Sequence, residues 1–405
     1  MLSSKLDFNA QRGSVASQAL NFGNMANSLV PRLDSWRTVI GDALTPAWND
    51  LATHAAEPNV FSESWFLTPA LAQFDSQGRV QLFTLWDAGQ LIALMPIAPQ
   101  PQYGRWPVPH VQNWLHHNAF LGTPLVRAGY EQAFWTALLP MLDAQPGQAL
   151  FAHFNCLAVD GPLVAALEEI CFSENRRCAL VHHEERALLE GDRTPEAYFE
   201  AAVRGKKRKE LRRQKSRLAE EGELTFARYE GANGLAGWTT EFLALERSGW
   251  KGANGSALDC SSETRALFTA ALDGAAVLGK LERLELRLDG RPLAMLVNFL
   301  CPPGSFSFKT AFDENYARFS PGVLLQIENL ALLNRANIVW CDSCAAEGHP
   351  MIDSLWPARR AIGRYSVAIG SSGRRAIFGA LLKAELARGA SRKPLHSNHS
   401  QGDDE

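Results

Sequence analysis

Four places in this 405-residue sequence carry side chains able to do chemistry. The first is Ser320-Pro321-Gly322-Val323, ahead of the apolar-periodic positions Leu324, Ile327, Leu330 and Ala331. Ser320 suits an N-cap, Pro321 a first helical position, and Gly322 has no side chain to cover the first-turn amides. Free N–H groups at such a helix start form a diphosphate site, although the same signals also describe a well-capped helix and nothing more. The second place is the strand-like run Phe306 to Phe312, where Lys309 acts on a reacting group if it faces a cleft and is an ordinary solvated lysine if it does not. Asp313 at the exit of that run would orient Lys309 or contact an acceptor, or simply start a turn. The third is Glu246, followed by Trp250 and Lys251: a base desolvated by Trp250, or a solvated carboxylate paired with Arg247 or Lys251. The fourth is Asp342, a second candidate base at the end of the strand-like Ile338 to Asp342.

Other reactive types carry less. His349 in the run EGHPM is a candidate acid that reads equally as a surface histidine. Cys341 and Cys344 have C-x-x-C spacing, but no second cysteine pair or histidine cluster follows at zinc spacing, so neither a metal nor a redox pair is expected. An acyl-cysteine route through Cys344 has no activating base nearby in sequence.

The elements that must position these residues show an internal repeat. Leu82 to Met95 (LFTLWDAGQLIALM) and Leu284 to Leu296 (LELRLDGRPLAML) both read as hairpins closed by an acidic-glycine turn, Asp87 with Gly89 and Asp289 with Gly290. Strand Phe120 to Val126, helix Tyr130 to Leu142, strand Ala149 to Asn155 and helix Pro162 to Glu174 follow the first. Strand Ser305 to Phe312, helix Pro321 to Leu333 and strands Ile338 to Asp342 and Tyr365 to Ile369 follow the second. Strand–helix–strand units joined to hairpins predict a mixed α/β sheet in each half. A long helix with a basic face, Pro195 to Glu221, leads into the second half.

Composition bounds the rest. At 46% apolar residues the chain is long enough for two domains with their own cores, between polar tails at 1–30 and 389–405. A net charge of −3 argues against a general polyanion binder, seven cysteines do not resemble a disulfide framework, and neither a signal peptide nor a spanning segment is visible. A cytoplasmic protein is expected. Against this background Arg204 to Arg217 holds nine basic residues and one acid, Glu210, with Leu211 and Leu218 as an apolar stripe. That is an amphipathic helix whose outward charge would meet coenzyme phosphates, RNA or an anionic membrane surface, or only solvent. No aromatic residues interleave with the cations, which weakens the nucleic-acid reading.

The runs KKRKELRRQKSRLAEEGEL (Lys206 to Leu224), FLALERSGWKGANGSAL (Phe242 to Leu258) and FKTAFDENYARFSPGVLL (Phe308 to Leu325), with Trp356, Arg359, Arg360 and the first-half FLGTPLV (Phe120 to Val126), resemble the GNAT-type acetyltransferases of bacterial cellulose-synthesis loci. The resemblance covers about residues 45 to 375 and extends more distantly to the Fem-type aminoacyltransferases. It implies an α/β fold of two tandem GNAT-like domains (31–190 and 191–388), each a mixed, partly antiparallel sheet flanked by helices. It also implies an acyl-CoA donor, an amine acceptor and no metal. On this pattern Ser320, Pro321, Gly322 and Val323 hold the coenzyme, and strands Ser305 to Phe312 and Ile338 to Asp342 splay apart to admit its arm. Glu246, Lys309 and Asp342 are the candidate catalytic groups, and Trp250, Lys251 and Asp313 the candidate substrate contacts. The first half reads Arg127-Ala128-Gly129 where Ser-Pro-Gly is expected, which assigns the donor to the second half and the acceptor cleft to the first. The expected activity is direct N-acyl transfer from acyl-CoA. The alternatives are aminoacyl transfer from tRNA and a non-catalytic scaffold in polysaccharide synthesis.

Overall fold

The computed structural model describes residues 29–390; the parts of the predicted tails at 1–28 and 391–405 lie outside them. The first half contributes strands β1 (Leu29–Ser35), β2 (Gln81–Asp87), β3 (Gln90–Gln100), β4 (His110–Asn113), β5 (Leu125–Val126), β6 (Phe151–Ala158) and β7 (Cys178–Glu190). Its helices are α1 (Trp36–Val39), α2 (Leu44–Thr53), α3 (Ser64–Phe74), α4 (Glu131–Ala144) and α5 (Pro162–Ser173). The second half contributes helices α6 (Pro195–Ala202), α7 (Gly205–Glu220), α8 (Leu235–Ser248), α9 (Trp250–Ala253), α10 (Ser262–Val277), α11 (Pro321–Asn329) and α12 (Ser372–Ala390). Its strands are β8 (Leu224–Glu230), β9 (Leu281–Leu288), β10 (Arg291–Cys301), β11 (Gly304–Phe312), β12 (Trp340–Asp342) and β13 (Ala358–Ala368).

Both repeat hairpins form as the sequence predicts. Their two-residue turns need positive φ at both positions, which Ala88–Gly89 and Asp289–Gly290 supply. Beyond the hairpins, local pattern and structure part company. Only Leu125–Val126 of the expected strand Phe120 to Val126 is a strand. The long basic helix is two helices, because Val203 takes an extended backbone between them.

All the strands join one sheet in the order β1-β2-β3-β4-β6-β13-β7-β12-β11-β10-β9-β8, with β5 off that path, paired with β3. The halves exchange strands: second-half β13 lies between β6 and β7, and first-half β7 pairs with second-half β12. A single core on one sheet face runs through both halves, from Trp48 and Phe66 to Phe242, Phe268, Phe299 and Phe308. Glu63 at the start of α3 accepts hydrogen bonds from Lys280 Nζ and Trp65 Nε1 in that layer, which ties the halves ionically as well. Helices α4 and α5 cover the other face of the first half, and α11 that of the second.

Candidate active site

Strand β11 positions the central lysine through one irregularity. Val297 of β10 faces Lys309 while Asn298 faces Ser307, so Phe308 is an extra, bulged residue. Pleat alternation alone would put Ser307 and Lys309 on one face; the bulge reverses the parity. Ser307 and Thr310 therefore turn toward Gln326 of α11, at 3.4 Å each. Lys309 instead shares the Phe308 face, its Nζ 5.1 Å from the Phe120 ring of the first half and 5.4 Å from that of Phe308. Among the described residues no acceptor hydrogen-bonds to it. Burial first, then the neighbouring Lys251 ammonium, push its pKa down to about 8 against the opposing pull of Glu246.

The two carboxylates proposed as bases are both engaged. Glu246 is 4% exposed; it accepts from Lys251 Nζ and from the Leu258 amide, both at 2.8 Å. Trp250, expected to desolvate it, is itself 54% exposed. Lys251 also reaches the Thr310 carbonyl at 3.4 Å, so Glu246, Lys251 and β11 are joined. Asp342, fully buried at the end of β12, accepts from the Cys344 amide at 2.9 Å and from Arg360 at 3.2 Å, with Arg186 3.8 Å away. Asp313 does not orient Lys309: it receives Arg291 and caps the 3-10 turn Glu314–Phe319 through the Asn315 amide.

The expected splay of strands is present. Strands β11 and β12 pair in parallel for three residues, ending at Phe306 and Asp342, after which the Ser343 amide bonds Ala187 of β7. Strand β11 continues alone on that side to Phe312, and the chain then reaches the start of α11. There Ser320 takes a left-handed conformation and makes no side-chain cap, so it sits at the N-cap position without capping. The Gly322 and Val323 amides have no acceptor among the described residues, and no acid lies in the first turn. Gly322 is not open, however: a Cβ there would meet Met351 Sδ at 3.1 Å and Phe312 at 3.3 Å. Close packing, not ligand approach, accounts for that glycine.

Two residues near Lys309 or Asp342, Arg186 and His116, escaped the sequence reading, and Arg360 entered it only through the family resemblance, with no role assigned. Arg186 of β7 links Asp342 to the Phe120 carbonyl, to which it donates at 2.6 Å. Arg360 stacks on Trp340 at 4.7 Å. His116 stacks between Phe74 and Phe66, and its pKa is lowered to about 3 by burial and then by the charges of His117 and Lys309. Its Nδ1 accepts from the Asn118 amide, leaving Nε2 a buried N–H without a partner. Only an arginine within an otherwise apolar strand end, Arg186 before Ala187-Leu188-Leu189, was a signal available in advance. Cys341 and Cys344 are buried free thiols, and among the described residues no cluster of His, Cys, Asp or Glu is placed to hold a metal ion. No helix among them is long and apolar enough to cross a membrane.

Residues 205–356 match the family described as acetyltransferase (GNAT) domain. No curated protein matches the chain by sequence. Among solved structures, FemX superposes with a TM-score of 0.53 at 9% identity, covering 80% of this chain and 95% of its own. A conserved protein of unknown function from Bacteroides thetaiotaomicron gives 0.50 at 15% identity, covering 80% and 97%. A tandem GNAT protein from the clavulanic acid biosynthesis pathway gives 0.42 at 14% identity, covering 85% and 99%. The chain is a mixed α/β fold similar to that of FemX, and residues 205–356 of its second half match a GNAT acetyltransferase domain.

Proposed function

We propose that this protein is an N-acyltransferase that takes its acyl group from an acyl-CoA thioester and passes it directly to an amine in the cleft between the halves. Two observations carry the reading: the pairing of β11 with β12 ends at Phe306 and Asp342, and the Gly322 and Val323 amides at the start of α11 have no acceptor among the described residues. The Gly322 and Val323 amides and the positive end of the α11 dipole would hold the diphosphate, with Ser320 and Pro321 fixing where the helix begins. The bound thioester supplies the acyl group.

Lys309 is assigned the proton acceptor for the attacking amine. Its ammonium lies between the halves beside the Phe120 ring, has no hydrogen-bond partner among the described residues, and is tuned toward neutrality near pH 8. Glu246 holds Lys251, and Lys251 sets the local potential and would contact the acceptor beside the exposed Trp250. Asp342 is a positioning residue: its charge is shared by Arg186 and Arg360, so it braces β12 against β7. The phenylalanines around Lys309 limit water at the reacting centre.

The test is to supply acetyl-CoA with free amino acids, amino sugars and polyamines in turn, reading thiol release and acylated product by mass. Thiol release that depends on an amine, and that Lys309→Met abolishes, is expected. Transfer from aminoacyl-tRNA with none from any acyl-CoA would replace the donor, and no transfer from either would leave a scaffold.

A further inference from the structure

The strongest feature that acyl transfer does not use is the outer face of α7. Leu211 and Leu218 fix the helix to the fold, both being buried. The opposite side carries Lys206, Lys209, Arg212 and Arg217, all exposed and, among the described residues, none in a close ion pair, although Glu210 attracts Arg217 at longer range. Arg213 and Lys215 are neutralised by Glu210 and Glu328. At about 1.5 Å rise per residue the stripe from Lys206 to Arg217 is roughly 16 Å long. Two lysines and an arginine lie in the first turn, where the helix dipole disfavours cations, and no acid there offsets them. Local stability therefore does not explain this charge, whereas an external anion would.

The charge of the remaining chain selects the kind of anion. Nine basic residues and one acid leave +8 between Arg204 and Arg217, so with a chain total of −3 the remainder carries −11. A polyanion that wraps the protein would meet that negative remainder, but a planar surface touches one face only. The stripe has no aromatic side chain for stacking on bases and no exposed apolar side chain for insertion. We propose that α7 docks the protein electrostatically on an anionic lipid surface, held at headgroup depth. Clusters of four or more cations gain about 1 kcal/mol each from such a surface, a little over five-fold per residue.

The test is co-sedimentation of the full chain with phosphatidylcholine vesicles in which about one lipid in three is phosphatidylglycerol, against pure phosphatidylcholine. Binding only to the anionic vesicles is expected, falling steeply with salt. The combined substitutions Lys206→Gln, Lys209→Gln, Arg212→Gln and Arg217→Gln should weaken it by at least about a hundred-fold, with the melting temperature unchanged. If that variant misfolds, the salt titration of the parent still decides. No anionic-vesicle binding, binding that ignores salt or the four substitutions, or tRNA retention in place of vesicle retention would each overturn the proposal. None of these outcomes depends on acyl-CoA, so the transfer reading stands or falls separately.

Discussion

The two halves repeat the same hairpin, strand, helix and strand, yet only one has a gap in its sheet. In the first half β4 and β6 pair in parallel at Val111 and Gln112, the counterpart of the β11–β12 contact. Past that point the segment Leu121 to Pro124 fills the space. Gly122 donates to the Cys156 carbonyl at 2.8 Å, Asn113 ties Gly122 to Asn155, and Thr123 Oγ1 receives the Ala158 amide. A Cβ on Gly122 would lie 2.1 Å from the Asn155 carbonyl, so the filling is complete. The helix starts differ in the same sense. Glu131 in the first turn of α4 turns back to the Gly129 amide, which places an acid where a phosphate would go. A duplicated fold thus keeps its architecture while one copy closes its opening with its own backbone.

That contrast can be broken at several points. The largest effect is expected from Lys309→Met, which should cost about 10²- to 10⁴-fold in kcat. The same variant should be more stable than the parent at pH 7, because the parent bears the cost of a charged, half-buried ammonium. The sign follows from a lowered lysine pKa: the penalty is complete below about 8, fades as pH rises, and is gone above the unfolded value of about 10.4. Chemical denaturation across pH reads it. Asp342→Asn should lower stability by about 3 kcal/mol by leaving Arg186 and Arg360 without their shared buried anion. Gly122→Ala should cost about 1–3 kcal/mol through overpacking yet leave coenzyme binding intact, since the plug belongs to the closed half. The smallest effect is a paired one in the pH–rate profile. Glu246→Gln should move the limb near pH 8 to lower pH and Lys251→Met to higher pH, since Glu246 raises and Lys251 lowers the Lys309 pKa.

Much of the opening was legible in advance and its closure was not. The hairpin turns and the helix after Ser320 are written in adjacent residues whose conformational needs are local. Lys309 was legible as a candidate but its direction was not, because the bulge at Phe308 is fixed by register with β10. The plug at Leu121 to Pro124 read as a strand, since its apolar alternation fits a notch filler equally well. Arg186 and Arg360 meet Asp342 only because β7 and β13 cross between the halves, a pairing that no local pattern encodes.

Titration calorimetry with acetyl-CoA tests the central claim most directly, run on the parent, Ser320→Asp and Glu131→Gln. Aspartate tolerates the left-handed conformation of Ser320 and favours a helix start, so it should preserve or raise stability while opposing a diphosphate. One molecule per chain is predicted, with Kd in the range of about 1–100 μM, weakened about ten-fold or more by Ser320→Asp and unchanged by Glu131→Gln. Two molecules per chain, or affinity indifferent to Ser320→Asp, would contradict an opening confined to the second half.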